Sequence, residues 1–251
     1  MLERSAFEGA RRALSVAHVS RASLCDPFLA ALPVTGASVC VLVSPAGQTT
    51  MCASNSVAER LDELQFDLGE GPCWEALATH GPVLALDIHG GRYDSWPVFA
   101  EAVRTDAIGG GVSAMFAFPL VVGSLDIGAV DLYFAEPGEL NPHYVAEASA
   151  LADVAAWQVL RRILEGQTAD TADDDDGSPS RYTRREVHQA TGMVLAQLNV
   201  TAEDASLLLR AYAFSAGRSV REIATEVVDR RLDFSSINNP DAPGLGRDHG
   251  I

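Results

Sequence analysis

Arg181, Arg185, His188 and Gly192, spaced four, three and four apart, carry the clearest chemistry in this 251-residue chain. On a helix those steps share one face, so cations would lead up to a bare stretch of backbone. Arg suits phosphate because its planar fork donates two parallel hydrogen bonds. A glycine inside a helix costs about 1 kcal/mol against Ala, and it lets a nucleotide or a second helix lie against the backbone. Arg210, Arg218 and Arg221 can extend the same surface from the segments that follow. The plain alternative for any single Arg is a solvated helix face; for Gly192 it is tight helix packing.

The charge distribution singles out the same region. The chain carries 18 basic and 34 acidic residues, a net charge of −16. Such a balance argues against the whole chain adhering to nucleic acid or an anionic membrane. Residues 181–234, however, hold 8 Arg and 7 carboxylates, leaving 10 Arg and 27 carboxylates for the rest. A near-neutral segment therefore rides on a strongly acidic body. Every cation is Arg, for which a GC-rich codon bias is the bland cause.

Other chemistries find little support. Cys25, Cys40, Cys52 and Cys73 show no CxxC spacing, so no zinc or other metal site is expected. The N-terminus has no apolar signal core, and no 18-residue apolar run occurs. The expectation is a cytoplasmic protein without membrane contact, its four cysteines reduced. Cys40 and Cys52 lie symmetrically about Pro45-Ala46-Gly47 and read as neighbours across a hairpin, both buried small hydrophobes rather than a redox pair. His80, His89 and His143 are scattered. No Ser/His/Asp order and no GxGxxG after a strand suggests an enzyme, and Asp106 to Gly111 is a weak phosphate loop without a following helix.

The elements that must position these residues divide into two groups. Residues 2–32 suggest one or two helices, 37–54 a strand, turn and strand, and 56–80 helix broken by Gly69-Glu70-Gly71-Pro72. A short strand at 82–88, a helix at 95–105 and strands at 112–122 and 124–136 follow, with Gly128 marking a bulge or close approach. Asn141-Pro142 opens a helix to about Leu164. This order predicts an α+β domain with an antiparallel sheet flanked by helices. Residues 167–180, with Asp173 to Asp176, read as an acidic linker. A sharper reading makes those aspartates an internal competitor for the arginines.

Three helices with capping signatures come next: Thr183-x-x-Glu186, Thr201-x-x-Asp204 and Ser219-x-x-Glu222, with Gly217 closing the second. Their apolar stripes predict an all-α three-helix bundle over 181–234. Residues 235–251 read as a disordered tail.

Gln189-Ala190-Thr191-Gly192, Val194-Leu195, Ala205, Leu209-Arg210, Ser215 and Ile223-Ala224 resemble the ANTAR family of RNA-binding antiterminator modules. The first 166 residues resemble a GAF sensor domain through Leu68-Gly69-Glu70-Gly71-Pro72-Cys73, Asp87, Trp96-Pro97, Phe118-Pro119-Leu120 and Leu125-x-x-Gly128. The resemblance implies that Arg181, Arg185, His188, Gln189, Thr191, Gly192, Arg210, Ser215, Arg218 and Arg221 face RNA. The ANTAR family usually has Lys where this chain has Thr191, so one phosphate contact is missing or has moved.

For the GAF half the resemblance implies a ligand pocket on one face of the sheet. Cys73, Trp74, Asp87, Trp96 and Phe116 are its candidate lining, with core or lid packing the stronger reading for the two tryptophans. No cofactor is indicated. The implied function is a signal-responsive antiterminator that binds paired hairpins in nascent RNA as a homodimer. Its seam would lie on the 140–165 helix or the first ANTAR helix. The alternative is a ligand-responsive protein-interaction regulator that has lost RNA binding, which Thr191 favours.

Overall fold

The computed structural model describes residues 2–20, 22–42, 48–105, 111–136, 139–165 and 179–235. Of residues 2–4, 18–20 and 179–185 it describes the backbone alone. Pro45 to Gly47 of the expected hairpin turn, residues 106–110 of the Asp106–Gly111 loop, the acidic run and the tail from 236 lie outside the described residues. The chain divides into two compact units, Met1–Arg181 and Tyr182–Ile251.

The first unit is an α+β layer structure. Its helices are α1 (Leu2–Ser20), α2 (Asp26–Ala31), α3 (Ser56–Leu68), α4 (Pro72–Thr79), α5 (Pro97–Thr105) and α6 (Pro142–Leu164). Its strands are β1 (Gly36–Val41), β2 (Thr49–Ala53), β3 (Val83–Ala85), β4 (Ala114–Val122) and β5 (Leu125–Phe134). They form one antiparallel sheet in the order β2-β1-β5-β4-β3.

Helices cover both faces of the sheet, which is why its central strands are apolar on both sides. On β5, Val130 and Leu132 point into a core shared with Leu14 of α1, Phe28 of α2 and Leu151 and Val159 of α6. Ala129, Asp131 and Tyr133 alternate to the other face, towards α3, α4 and α5. Each fully buried Leu or Phe of such a core contributes about 1.5–3 kcal/mol.

The Gly69–Pro72 break does specific positional work. Gly69 ends α3 in a left-handed conformation, and Gly71 (φ 142°) precedes Pro72 at the first turn of α4. A side chain at Gly71 would also meet Gln65. Glu70, held between them, accepts the Phe99 amide at 2.7 Å and so caps α5. Gly128 proves to be a close-approach position: an added Cβ would run into the Cys40 carbonyl and Val41 backbone of β1. The bulge lies beside it. Leu120 pairs with Gly128 but Val121 with Asp126, leaving Ile127 as the extra residue.

Two expectations about cysteine fail. Cys25 and Cys52 form a disulfide. Cys40 and Cys52 are not neighbours, because the β1–β2 register shifts at Val39/Cys40, setting Cys52 opposite Val39 and Cys40 opposite Thr50. Cys52 packs towards the α1/α6 core, whereas Cys40 lies in the cluster of Phe66, Cys73 and Ala129. β2 brings Cys52 to within 6.1 Å (Cα–Cα) of Cys25, a tertiary approach that compartment and spacing do not register.

The second unit is a bundle of α7 (Pro179–Leu198), α8 (Ala202–Ala216) and α9 (Val220–Val228). Its core is Ala190, Val194, Ala205, Leu209, Ala213, Val220, Ile223, Ala224, Val227 and Phe234. Thr201 caps α8, Gly217 closes it left-handed, and Ser219 with Glu222 forms a complete capping box on α9. The first signature misleads: α7 begins at Pro179, so Thr183 lies inside the helix rather than at its start. Thr225 donates to Glu186 at 3.0 Å and ties α9 to α7.

Candidate functional site

Beneath α3 and α4 the first unit buries a polar cluster between helices and sheet. Gln65, fully buried, is its hub. Its amide nitrogen donates to Asp131 Oδ2 at 2.5 Å, its amide oxygen accepts the Cys73 amide at 2.8 Å, and its carbonyl accepts Trp74 Nε1 at 2.9 Å. Asp62, also buried, accepts a hydrogen bond from the Thr50 hydroxyl. Cys40 Sγ donates to the Ala129 carbonyl at 3.5 Å. The ligating atoms of Cys40, Cys73 and Asp131 lie within 4.8 Å of one another.

Burial governs the electrostatics of this cluster. Asp131 is pushed up to about 8, chiefly because its charge would be desolvated, with the nearby Asp62 adding to the shift and the Gln65 hydrogen bond opposing it. The Cys73 thiol is raised by burial first, then by its contact with Cys40 and the field of Asp131. Asp131 Oδ1 is buried with no hydrogen-bond partner, and native structures rarely leave such an atom unsatisfied. A carboxylate inside the apolar run of β5 was the readable sequence signal for this cluster. The alternation of β5 points it inward.

The five expected lining residues do not converge. Cys73 belongs to the cluster just described. Trp74 packs edge-on to Phe66. Trp96, 1% exposed, stacks on Tyr93 at 4.0 Å and donates to Glu75 at 2.6 Å. Both tryptophans thus make packing contacts. Asp87 is exposed and closes its own loop, accepting the amides of His89 and Gly90 at 3.1 and 2.8 Å. Phe116 faces the opposite side of the sheet, in the α1/α6 core beside Phe134. Met115, one residue earlier, joins Trp96 instead.

In the second unit, α7 is one continuous helix through Arg181, Arg185, His188 and Gly192, so the spacing argument holds for its backbone. The side chains of Arg181 and Arg185 lie outside the described residues. His188, Gln189 and Gly192 are exposed. An added Cβ at Gly192 would meet nothing within 4 Å, so packing inside the described chain does not account for this glycine. The Thr191 hydroxyl turns back to the Val187 carbonyl at 2.8 Å, and Ser215 does the same to Tyr212 at 2.8 Å.

Arg218 is engaged by its own chain. Two of its nitrogens donate to Glu226 at 3.0 and 3.1 Å, and Glu222 stands 4.0 Å away. That hydrogen bond, and then the guanidinium charge, lowers Glu226 and correspondingly raises Arg218. Arg218, Arg221 and Arg231 with Glu222, Thr225 and Glu226 line a groove of about 200 Å³. An anion entering it must compete with Glu226. Half-exposed Arg210 lies one helical turn before Phe214, which is 68% exposed. Phe214 was not anticipated, although its place off the stripe of Ala205, Leu209 and Tyr212 could have shown it.

Among the described residues no helix is long and apolar enough to cross a membrane. No curated protein matches the chain. Among solved structures it is similar to a domain of a two-component sensor histidine kinase protein from Sinorhizobium meliloti (19% identity over 61% of this chain and 96% of that one, TM-score 0.44). It is also similar to a GAF sensor protein from Burkholderia vietnamiensis (16% identity, 64% and 96%, TM-score 0.44). Residues 20–157, more than half of the chain, match the GAF domain family, and residues 181–228 match the ANTAR domain family. The chain therefore belongs to the GAF family and joins that sensor domain to an ANTAR domain, the make-up of a signal-responsive regulator of the antiterminator type.

Proposed function

We propose that this chain is an RNA-binding antiterminator of the cytoplasm: its GAF unit senses a small-molecule signal and its ANTAR unit holds hairpin loops in nascent RNA. The observation that carries this reading is Gly192, exposed on α7 with open space before it. A mid-helix glycine without a packing duty is explained by a ligand that needs the backbone. His188 and Gln189 flank that spot, one turn or less away. Loop RNA is read by hydrogen bonds to base edges, by stacking and by Arg on phosphate. Exposed Phe214 supplies a stacking face beside Arg210, Arg221 lines the anion groove, and Arg181 and Arg185 belong to the same surface by position. Ser215 and Thr191 enter through backbone-anchored hydroxyls.

Two hairpins bound together require two ANTAR units, so we place a homodimer on α6. Trp157 and Leu164 there are 62% and 78% exposed and seven residues apart, the interval of a helix-pairing seam. The test of RNA binding is a salt titration with hairpin RNA. Each phosphate neutralised on a single strand contributes a log–log slope of roughly −0.7, so Arg221→Ala should flatten the slope by that amount. A salt-independent affinity would favour the second reading, a protein-interaction unit. The internal engagement of Arg218 by Glu226 and of Thr191 by Val187 is what supports that alternative.

A further inference from the structure

We propose that Cys40, Cys73 and Asp131 form a binding site for one thiophilic divalent cation, Zn²⁺ being the expected occupant. The three come from β1, the first turn of α4 and β5, and no local motif joins them. Their ligating atoms already lie within 4.8 Å of one another. Zinc takes sulfur at about 2.3 Å and carboxylate oxygen at about 2.0–2.2 Å. A tetrahedral site built on those bonds needs ligand separations of roughly 3.5–3.8 Å, a contraction of about 1.3 Å at most. Two sulfurs with one carboxylate are a donor set that favours zinc over magnesium or calcium.

A second, independent observation points to a ligand. Asp131 is 4% exposed, yet its Oδ1 has no hydrogen-bond partner, while Gln65 fixes the other oxygen at 2.5 Å. An orphaned buried carboxylate oxygen is costly, and metal coordination is one of the few ways to satisfy it. Gln65 then acts as the supporting contact, orienting Asp131 through its amide and α4 through the Cys73 backbone. If the GAF unit is the sensing half, as proposed above, this cation is its signal; binding itself stands apart from that reading.

The test uses the full chain, stripped with a chelator and titrated with Co²⁺ in the absence of oxygen. One equivalent should produce a thiolate-to-cobalt charge-transfer band and the visible bands of four-coordinate cobalt, both bleached by one equivalent of Zn²⁺. Cys40→Ser with Cys73→Ser should abolish the charge-transfer band. Asp131→Asn should keep it while weakening cobalt binding about tenfold or more. A wild-type chain with native circular dichroism and no such band overturns the proposal, and so does a band that survives in the double variant. Neither result bears on RNA affinity, so failure of this site and failure of the antiterminator reading are distinguishable.

Discussion

Gly192→Ala separates stability from function in a way that few substitutions allow. The added methyl meets nothing within 4 Å and sits on an exposed helical position, so no steric strain opposes it. Replacing a mid-helix glycine by alanine then stabilises the helix by about 0.5–1 kcal/mol. For a unit of this size that raises its melting temperature by about 5 °C. If RNA lies against the bare backbone, the same methyl intrudes on the contact, and a misfit of about 1.4 kcal/mol weakens binding tenfold. The assay pairs thermal unfolding with hairpin-RNA binding at fixed salt. Gly9→Ala is the matched control, since Gly9 is also an exposed helical glycine with nothing within 4 Å. It should gain comparable stability and leave RNA affinity alone. A Gly192→Ala chain that is more stable and binds RNA unchanged refutes the role assigned to this glycine. One that loses stability refutes the reading of open space.

The remaining predictions concern the first unit. From the ordinary carboxylate range up to about pH 8, folded Asp131 keeps a proton that the unfolded chain has released. Stability of the metal-free chain should therefore fall as pH rises through that window, by up to about 1.4 kcal/mol per pH unit from this group, and level off above it. Asp131→Asn, compared with wild type in denaturant titrations at pH 5, 6, 7 and 8 (roughly the window set by the shift), should remove that component; parallel curves would disprove it. Cys25→Ser with Cys52→Ser opens a loop of 27 residues and should cost about 3.5 kcal/mol by chain entropy; equal midpoints with and without reductant would contradict the disulfide. Trp157→Asp should shift the chain from dimer to monomer in sedimentation, and an unchanged mass would move the seam elsewhere.

How far the sequence could be read depended on whether a residue's meaning was local. Caps are local, and Thr201, Gly217 and Ser219 end up where their signatures put them; Thr183 misled because Pro179, four residues earlier, starts the helix just as well. Element types in the first unit were also legible, since alternation and glycine–proline breaks act within a few residues. The facing of β4 was not. Ala114 to Val122 is apolar at nearly every position because helices cover both sheet faces, so alternation could not say that Met115 rather than Phe116 stands with Trp96. The cysteines failed for the same kind of reason: a bulge at Val39/Cys40 changes which residues face each other, and spacing alone cannot register it. The buried cluster is the extreme case. Thr50, Asp62, Gln65, Cys73 and Asp131 come from four elements and mean nothing singly. Yet a carboxylate in the run Ile127 to Phe134 could only point into the core by alternation. That one local contradiction marks where the first unit departs from plain packing, and it is also where a carboxylate with one orphaned oxygen stands close to two thiols.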